Sequence, residues 1–226
     1  MKASEINELK TRWTPDILAK VQGLLEESDL NTQALPFPPV EVHGHQYIDL
    51  RGIKPDSTVS NLTAQYLDFS YSCFLQFSGV VLSHLQHCLF IGCTYELILS
   101  DTFHSCDFSQ AKMRRFQCIN GTRFDGCLFR GADLSNADCD SSHFINCDFT
   151  DARFLRAVFF QCVFDGCRFE KAKFGEGSLG GSVFRNSKES FIWTDHYTDQ
   201  RMTHVVPGAT VQVDLRNTLL SIDLFQ

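Results

Sequence analysis

From Thr122 onward the large apolar residues of the chain fall at every fifth position. Cut in fives, residues 122–186 read TRFDG, CLFRG, ADLSN, ADCDS, SHFIN, CDFTD, ARFLR, AVFFQ, CVFDG, CRFEK, AKFGE, GSLGG and SVFRN, thirteen units without a break. The third position is Phe in ten units, Leu in two (Leu134, Leu179) and Cys in one (Cys139), while the first is only Ala, Cys, Ser, Thr or Gly. Neither common element explains a period of five. Five residues carry an α-helix through about 500°, which scatters the Phe around its axis, and on a flat strand an odd period would alternate them between faces. The backbone must therefore turn a corner every five residues, with the first and third positions inward and the fourth and fifth carrying the chain around the turn. Gly126, Gly131, Gly166 and Gly181, with Asn136, Asn146 and Asn186, occupy the fifth position and are residue types that turns prefer. A small residue at one inward position and a large one at the other fills a narrow interior without overpacking it.

The unit ADLSN at 132–136 combines a small residue, an Asp, a Leu and two polar residues. In this the chain resembles the pentapeptide-repeat family. The resemblance implies an all-β fold, a right-handed quadrilateral β-helix solenoid with 20 residues per coil and stacked Phe or Leu in its core, here with a small helical N-terminal segment. Upstream, the same frame gives LDFSY (67–71), CFLQF, SGVVL, SHLQH, CLFIG and CTYEL (73–97), then DTFHS, CDFSQ, AKMRR and FQCIN (101–120). Ser72, 98–100 and Gly121 are left over and are expected as bulges or outward loops that restore the frame. Residues 67–186 then make about six coils, a rod of about 30 Å at roughly 4.8 Å per coil.

The chain divides into a helical cap and Pro-rich linker (1–45), the repeat solenoid (46–190) and a C-terminal segment (191–226). Two helices are expected at the N-terminus, from Ser4 to about Arg12 and from Thr14 to about Glu27. Thr14 stands as N-cap of the second, Pro15 at its first position and Asp16 in its first turn. Leu18, Val21, Leu24 and Leu25 form an apolar face suited to closing the first coil, and QYIDLRGI (46–53) reads as lead-in strands. At the other end Leu215, Leu219, Leu220, Ile222, Leu224 and Phe225 make either a second cap or a dimer interface. A capped monomer is the favoured alternative, with a homodimer as the other.

Composition excludes several classes. The 226 residues are 43% hydrophobic and 21% charged, enough for one substantial core. The opening MKASEINELKTRW lacks the apolar run of a signal peptide, and no stretch approaches the roughly 18 apolar residues of a membrane span, so a soluble cytoplasmic protein without membrane contact is expected. Ten cysteines accompany 21 phenylalanines, so disulfides are not needed to hold the core, and reduced thiols are expected. Cys127, Cys147 and Cys167 fall in one column at 20-residue spacing, joined by Cys106 once Gly121 is allowed for. This is an inward small-residue ladder, since zinc sites commonly use C-x2-C pairs and the chain has none. His84 and His87 occupy different parts of one unit and are not expected to converge on one ion, while His43 and His45 flank Gly44 in a Pro-rich entry loop and could share a side, a surface loop being favoured over a metal site. No hydrolase, nucleotide-binding or metalloprotease motif appears, so catalytic residues, metals and cofactors are all expected to be absent.

Function is thus expected on the surface, as a non-enzymatic scaffold for a protein partner. Some pentapeptide-repeat proteins resemble duplex DNA and bind DNA gyrase, so the resemblance also offers a DNA mimic that protects or inhibits gyrase. The net charge of −7 bears on this only by region: residues 101–190 hold 12 acids and 12 bases. Column neighbours pair opposite signs, Asp133 over Arg153, Asp148 over Arg168 and Asp151 over Lys171, which cancels a long-range anionic field. One acidic cluster, Asp133, Asp138, Asp140, Asp148, Asp151 and Asp165, is either a docking patch for a basic protein or an ordinary solvated corner, the latter favoured, and Asp138 and Asp140 have no cation 20 residues on. Direct nucleic-acid binding is not expected without a Lys/Arg stripe interleaved with aromatics.

Overall fold

The computed structural model describes residues 1–26, 35–75, 79–81, 83–99, 101–119, 121–175, 177–179 and 182–186, together with short strands at 192–193, 204–205, 211–214 and 219–222. The chain is mostly β, a parallel solenoid of short strands preceded by two helices. Each coil pairs with the next along four ladders. The first runs through Thr63–Gln65, His84–Gln86, Thr102–His104, Arg123–Asp125, His143–Ile145, Val163–Asp165, Val183–Arg185 and His204–Val205. The second is a chain of single bridges, Asp68 to Leu89, Asp107, Leu128, Asp148 and Arg168. The third joins Cys73, Thr94, Lys112, Asp133, Arg153, Lys173 and Ile192. On the fourth side Thr58–Ser60 pairs with Gly79–Val81, and a separate run joins Leu97–Leu99, Gln117–Ile119, Asp138–Asp140 and Val158–Phe160 to Ser178.

The corners are built by the fifth residue of each unit. Every described fifth position between 126 and 186 has a left-handed backbone, at Gly126, Gly131, Gly166, Asn136, Asn146, Asn186, and also at Ser141, Asp151, Arg156, Gln161 and Lys171. Left-handed φ costs an ordinary residue roughly 1–2 kcal/mol and Gly almost nothing, which explains the Gly and Asn preference. Arg156, Gln161 and Lys171 show that packing of the coil imposes the conformation where the residue does not favour it.

Every first and third position of the thirteen units is buried. On the first ladder Phe103, Phe124, Phe144, Phe164 and Phe184 stack face to face with centroids 4.7–5.1 Å apart. Phe69, Phe90, Phe108, Phe129, Phe149 and Phe169 do the same on the second. The two columns meet edge to face, as in Phe103 with Phe108 at 5.3 Å and 77°. Offset stacks and edge contacts are both favoured arrangements of aromatic rings, so the pair of columns satisfies each ring several ways. The first positions hold the small residues because the backbone of the coil below lies there. At Gly177 even a Cβ would collide with the Ala157 carbonyl.

Upstream of Thr122 the frame needs two corrections. Ser72 is not a spare residue: it is buried in a first position, with its hydroxyl donating to the Leu50 carbonyl at 3.2 Å, and Phe74 rather than Leu75 follows as the inward third residue. From Thr63 to His84 the coil still steps 21 residues. Nor do Ile98 and Leu99 loop out, because Leu97–Leu99 is a strand of the fourth ladder with Ile98 opposite Cys118, while Ser100 lies outside the described residues. That coil is short instead, stepping 18 residues from His84 to Thr102. Gly121 is the expected extra residue, left-handed at φ 75°, and the step from Thr102 to Arg123 lengthens to 21.

The N-terminal helices are α1 (Ala3–Thr11) and α2 (Pro15–Glu26). Leu18, Val21 and Leu25 of α2 are buried in the same core as Leu50, Ile53, Val59 and Leu62, while Leu24 is half-buried. Between the helices, Arg12 reaches Asp49 with two hydrogen bonds of 2.6 and 2.8 Å, and Arg51 binds the same carboxylate at 2.9 Å. Burial opposes ionisation of Asp49, but the two guanidiniums outweigh it and hold its carboxyl far below the usual range. The Trp13 indole donates to the Arg51 carbonyl at 2.9 Å, and Gly52, left-handed at φ 75°, lets the α1 backbone at Leu9 come where a Cβ would stand. His43 and Gly44, both at positive φ, form the two-residue turn between antiparallel Val40–Val42 and His45–Asp49. The expected entry loop is thus half strand. At the far end, Val211–Asp214 and Leu219–Ile222 form an antiparallel hairpin. Leu215, Leu224 and Phe225 lie outside the described residues, as do the side chains of Leu219, Leu220 and Ile222.

Candidate interaction surface

With the first and third residues inward, the second and fourth of each unit carry the outer surface, and each ladder presents its own column of them. The six acids expected to form one patch are divided among all four ladders and a corner. Asp165 is on the first, Asp148 on the second, Asp133 on the third, Asp138 and Asp140 on the fourth, and Asp151 at the corner between the second and third. The structure does not bring them together.

Two of them have a local task that sequence reasoning missed. Asp133 and Asp148 accept the backbone N–H two residues on, from Ser135 at 3.2 Å and Thr150 at 2.9 Å, and the Thr150 hydroxyl adds a second bond at 2.6 Å. Asp68 and Asp107 do the same for Ser70 and Ser109. These are Asx turns that replace a missing backbone partner at the bend. The signal was legible as a recurring D-x-S/T, in DFS, DFS, DLS and DFT. Cations then come from the coil below rather than above: Arg114 to Asp133 at 2.6 Å and Arg130 to Asp148 at 2.7 Å. Burial opposes ionisation of both acids, but these hydrogen bonds and guanidiniums prevail and hold them below the usual carboxylate range. Asp165 is bound by Arg185 at 2.9 Å and by the Asn186 amide at 2.6 Å. Asp138 and Asp140 are both exposed on either side of inward Cys139, and neither has an ion pair among the described residues.

Nine of the ten cysteines are buried and none is disulfide-bonded. Cys106, Cys127, Cys147 and Cys167 each donate to a carbonyl of the coil below, Leu85, Phe103, Phe124 and Phe144, at 3.2–3.6 Å. Burial pushes the thiols of Cys93, Cys106, Cys139, Cys147 and Cys162 well above the ordinary range, so they stay protonated. Half-buried Cys73 lies in a cleft of about 440 Å³ with Lys10, Trp13, Leu18, Gly52, Lys54 and Asp56, and burial raises its thiol too. Of the histidines, His45 and His87 stack on the two faces of Tyr66 at 5.3 and 5.2 Å, while His84 points outward. Among the described residues no three His, Cys, Asp or Glu side chains are grouped to hold a metal ion.

The surface holds one feature absent from the expectations. Val158 and Phe160 are 38% and 48% exposed, and among the described residues only Met1 is another exposed large apolar side chain. Both stand on the fourth ladder, directly opposite Asp138 and Asp140 in register. The doubled Phe of AVFFQ was the available sign, since the frame sends Phe159 inward and Phe160 outward.

Residues 119–168 match the family model for pentapeptide repeats (9 copies). Among solved structures, the chain is similar to HetL, a pentapeptide repeat protein involved in heterocyst differentiation regulation from the cyanobacterium Nostoc sp. strain PCC 7120. The identity is 15% over 77% of this chain and 86% of that one, with a TM-score of 0.48. It is also similar to a trypsin-treated variant of QnrB1, a plasmid-mediated fluoroquinolone resistance protein, at 19% identity over 74% and 90% of the two chains, TM-score 0.28. Full-length QnrB1 matches at 16% identity over 74% and 92%, TM-score 0.25. Identities and TM-scores this low carry nothing about role or partner. Among curated proteins no match was found. Among the described residues no helix is long and apolar enough to cross a membrane.

Proposed function

We propose that this pentapeptide-repeat protein is a non-enzymatic rod that acts by presenting its outer surface to a protein partner. The observation that carries the reading is the filled interior: every first and third position of units 122–186 is buried among its neighbours, and the inward thiols of Cys127, Cys147 and Cys167 are bound to carbonyls of the coil below. Chemistry is left to the outward second and fourth positions. In this reading the protein works in the cytoplasm as a monomer, and its C-terminal segment covers the last coil.

The DNA-mimic reading, with gyrase as partner, asks for a continuous anionic face. Residues 101–190 balance 12 acids against 12 bases, and Asp133, Asp148 and Asp165 are each tied to an arginine. These favour a partner recognised by a local surface over one recognised by field.

The test places a photo-crosslinking amino acid singly at His143, Thr150, Arg153 and Phe160, one outward position per ladder, in the native host. Crosslinks to the same protein from one ladder, and few from the others, are the expected result. Crosslinks to nucleic acid, or none from any position, would overturn the reading.

A further inference from the structure

The four ladders differ in what they turn outward, and the third and fourth differ most. The third carries Lys112, Arg114, Arg153 and Lys173 at its outward positions, with Arg114 held by Asp133. From Thr58–Ser60 to Ser178 the fourth places no Lys or Arg at any paired position. One register column reads Leu97, Gln117, Asp138, Val158, and beside it Asp140 is opposite Phe160. Arg156, on the corner just before this ladder, turns to the Asn136 side chain at 3.2 Å, and among the described residues Asp140 receives only the neighbouring Ser141 hydroxyl at 3.0 Å. Exposed Val158 and Phe160 thus sit one rung, about 4.8 Å, from two exposed carboxylates that have no ion pair among the described residues.

We propose that this stretch of the fourth ladder is the docking surface and that its occupant is a segment of another protein with a Lys or Arg flanked by apolar residues. The assignment rests on the protein-partner reading above and gives it a face. Covering Phe160 and Val158 removes apolar surface from water, but any cover also desolvates Asp138 and Asp140, which is costly unless the cover supplies cations. A segment that is apolar alone leaves two carboxylates unpaired. Nucleic acid and anionic lipid add negative charge to the same rung. A second copy of this chain meeting the face about a two-fold axis would bring Asp138 and Asp140 no Lys or Arg from its own fourth ladder. Only a basic, apolar-flanked segment satisfies both halves of the rung pair.

The test immobilises the intact protein, selects binders from displayed random peptides, and measures a selected synthetic peptide by fluorescence polarisation. The expected peptides carry Lys or Arg beside apolar residues. Phe160→Ser and the double variant Asp138→Asn, Asp140→Asn should each weaken binding by about tenfold or more, as loss of an interface anchor does. Salt should weaken binding to the natural chain and have little effect on the double Asn variant. His143→Ala on the first ladder should bind as the natural chain does. All substituted side chains are exposed, so unchanged melting temperatures accompany the expected result. No selected peptide, peptides without basic residues, or binding by Phe160→Ser or the double variant as tight as that of the natural chain would overturn the assignment. So would a dimer in sedimentation that Phe160→Ser dissociates, which would give the face to a second copy. Crosslinks gathered on another ladder would remove this assignment and leave the protein-partner function standing.

Discussion

Between Arg123 and Val183 the first ladder steps 20 residues at every coil, whereas between Thr63 and Arg123 it steps 21, then 18, then 21. Yet the aromatic column beside it runs through both halves, Phe69, Phe90 and Phe108 in the uneven part and Phe129, Phe149 and Phe169 in the even one, all stacked at about the same spacing. The uneven half also seats Phe116 in a first position and Met113 in a third, both fully buried. What the fold conserves is therefore the inward column and the left-handed corner, and the five-residue period is only the shortest way to supply them.

The sharpest way to break that comparison is to change the length of a coil. Deleting Asp151 shortens an even coil at its corner, moves every later residue by one place in the frame, and should leave a chain without a cooperative melt. Deleting Gly121 removes a residue the coil already carries in excess and should leave a folded protein. Two equal losses in circular dichroism melts would mean that the two halves are not built on one rule.

Core truncation should then fail to distinguish the halves. Phe90→Ala in the uneven part and Phe149→Ala in the even part should each cost about 3–5 kcal/mol in denaturant unfolding, because both empty the same kind of stacked site. A much smaller loss at Phe90 would show that the uneven coils are loosely packed.

A lesser effect is expected where the helices meet the first coil. Asp49→Asn should cost about 2–3 kcal/mol, below the usual figure for breaking a buried pair because Arg12 and Arg51 are partly exposed. The folded pKa of Asp49 lies below its unfolded value, so its contribution is complete above the ordinary carboxylate range and declines as the pH falls through that range toward the folded pKa. The stability gap between the natural chain and Asp49→Asn should accordingly narrow in acid. A gap that is constant with pH would show that the carboxylate charge is not what holds Arg12.

The even half was legible because each unit repeats both its inward pair and its turn residue, so a single cut placed Phe124 through Phe184 correctly. The uneven half was harder because small polar residues serve two purposes. Ser72 reads as a spacer but is a buried first residue, and the 18-residue coil hides a shortage that simple framing turned into a surplus at 98–100. The placement of the acids was not legible for a different reason. Sequence nearness suggested one cluster, whereas a coil sends residues five apart to different faces, so Asp133 and Asp148 reach different ladders and build turns there. Phe160 was in plain view beside Phe159, but its exposure follows only from the frame.

Quantitative thiol labelling tests the account most directly, because the ten cysteines sample the rod from Cys73 to Cys167 and nine of them are buried. Treated with iodoacetamide in native buffer and read site by site by mass spectrometry, Cys73 should be modified first, while Cys88, Cys93, Cys106, Cys118, Cys127, Cys139, Cys147, Cys162 and Cys167 should react only after unfolding. Native labelling of the Cys106, Cys127, Cys147 and Cys167 column at a rate like that of Cys73 would contradict the inward ladders on which the fold and the surface reading both rest.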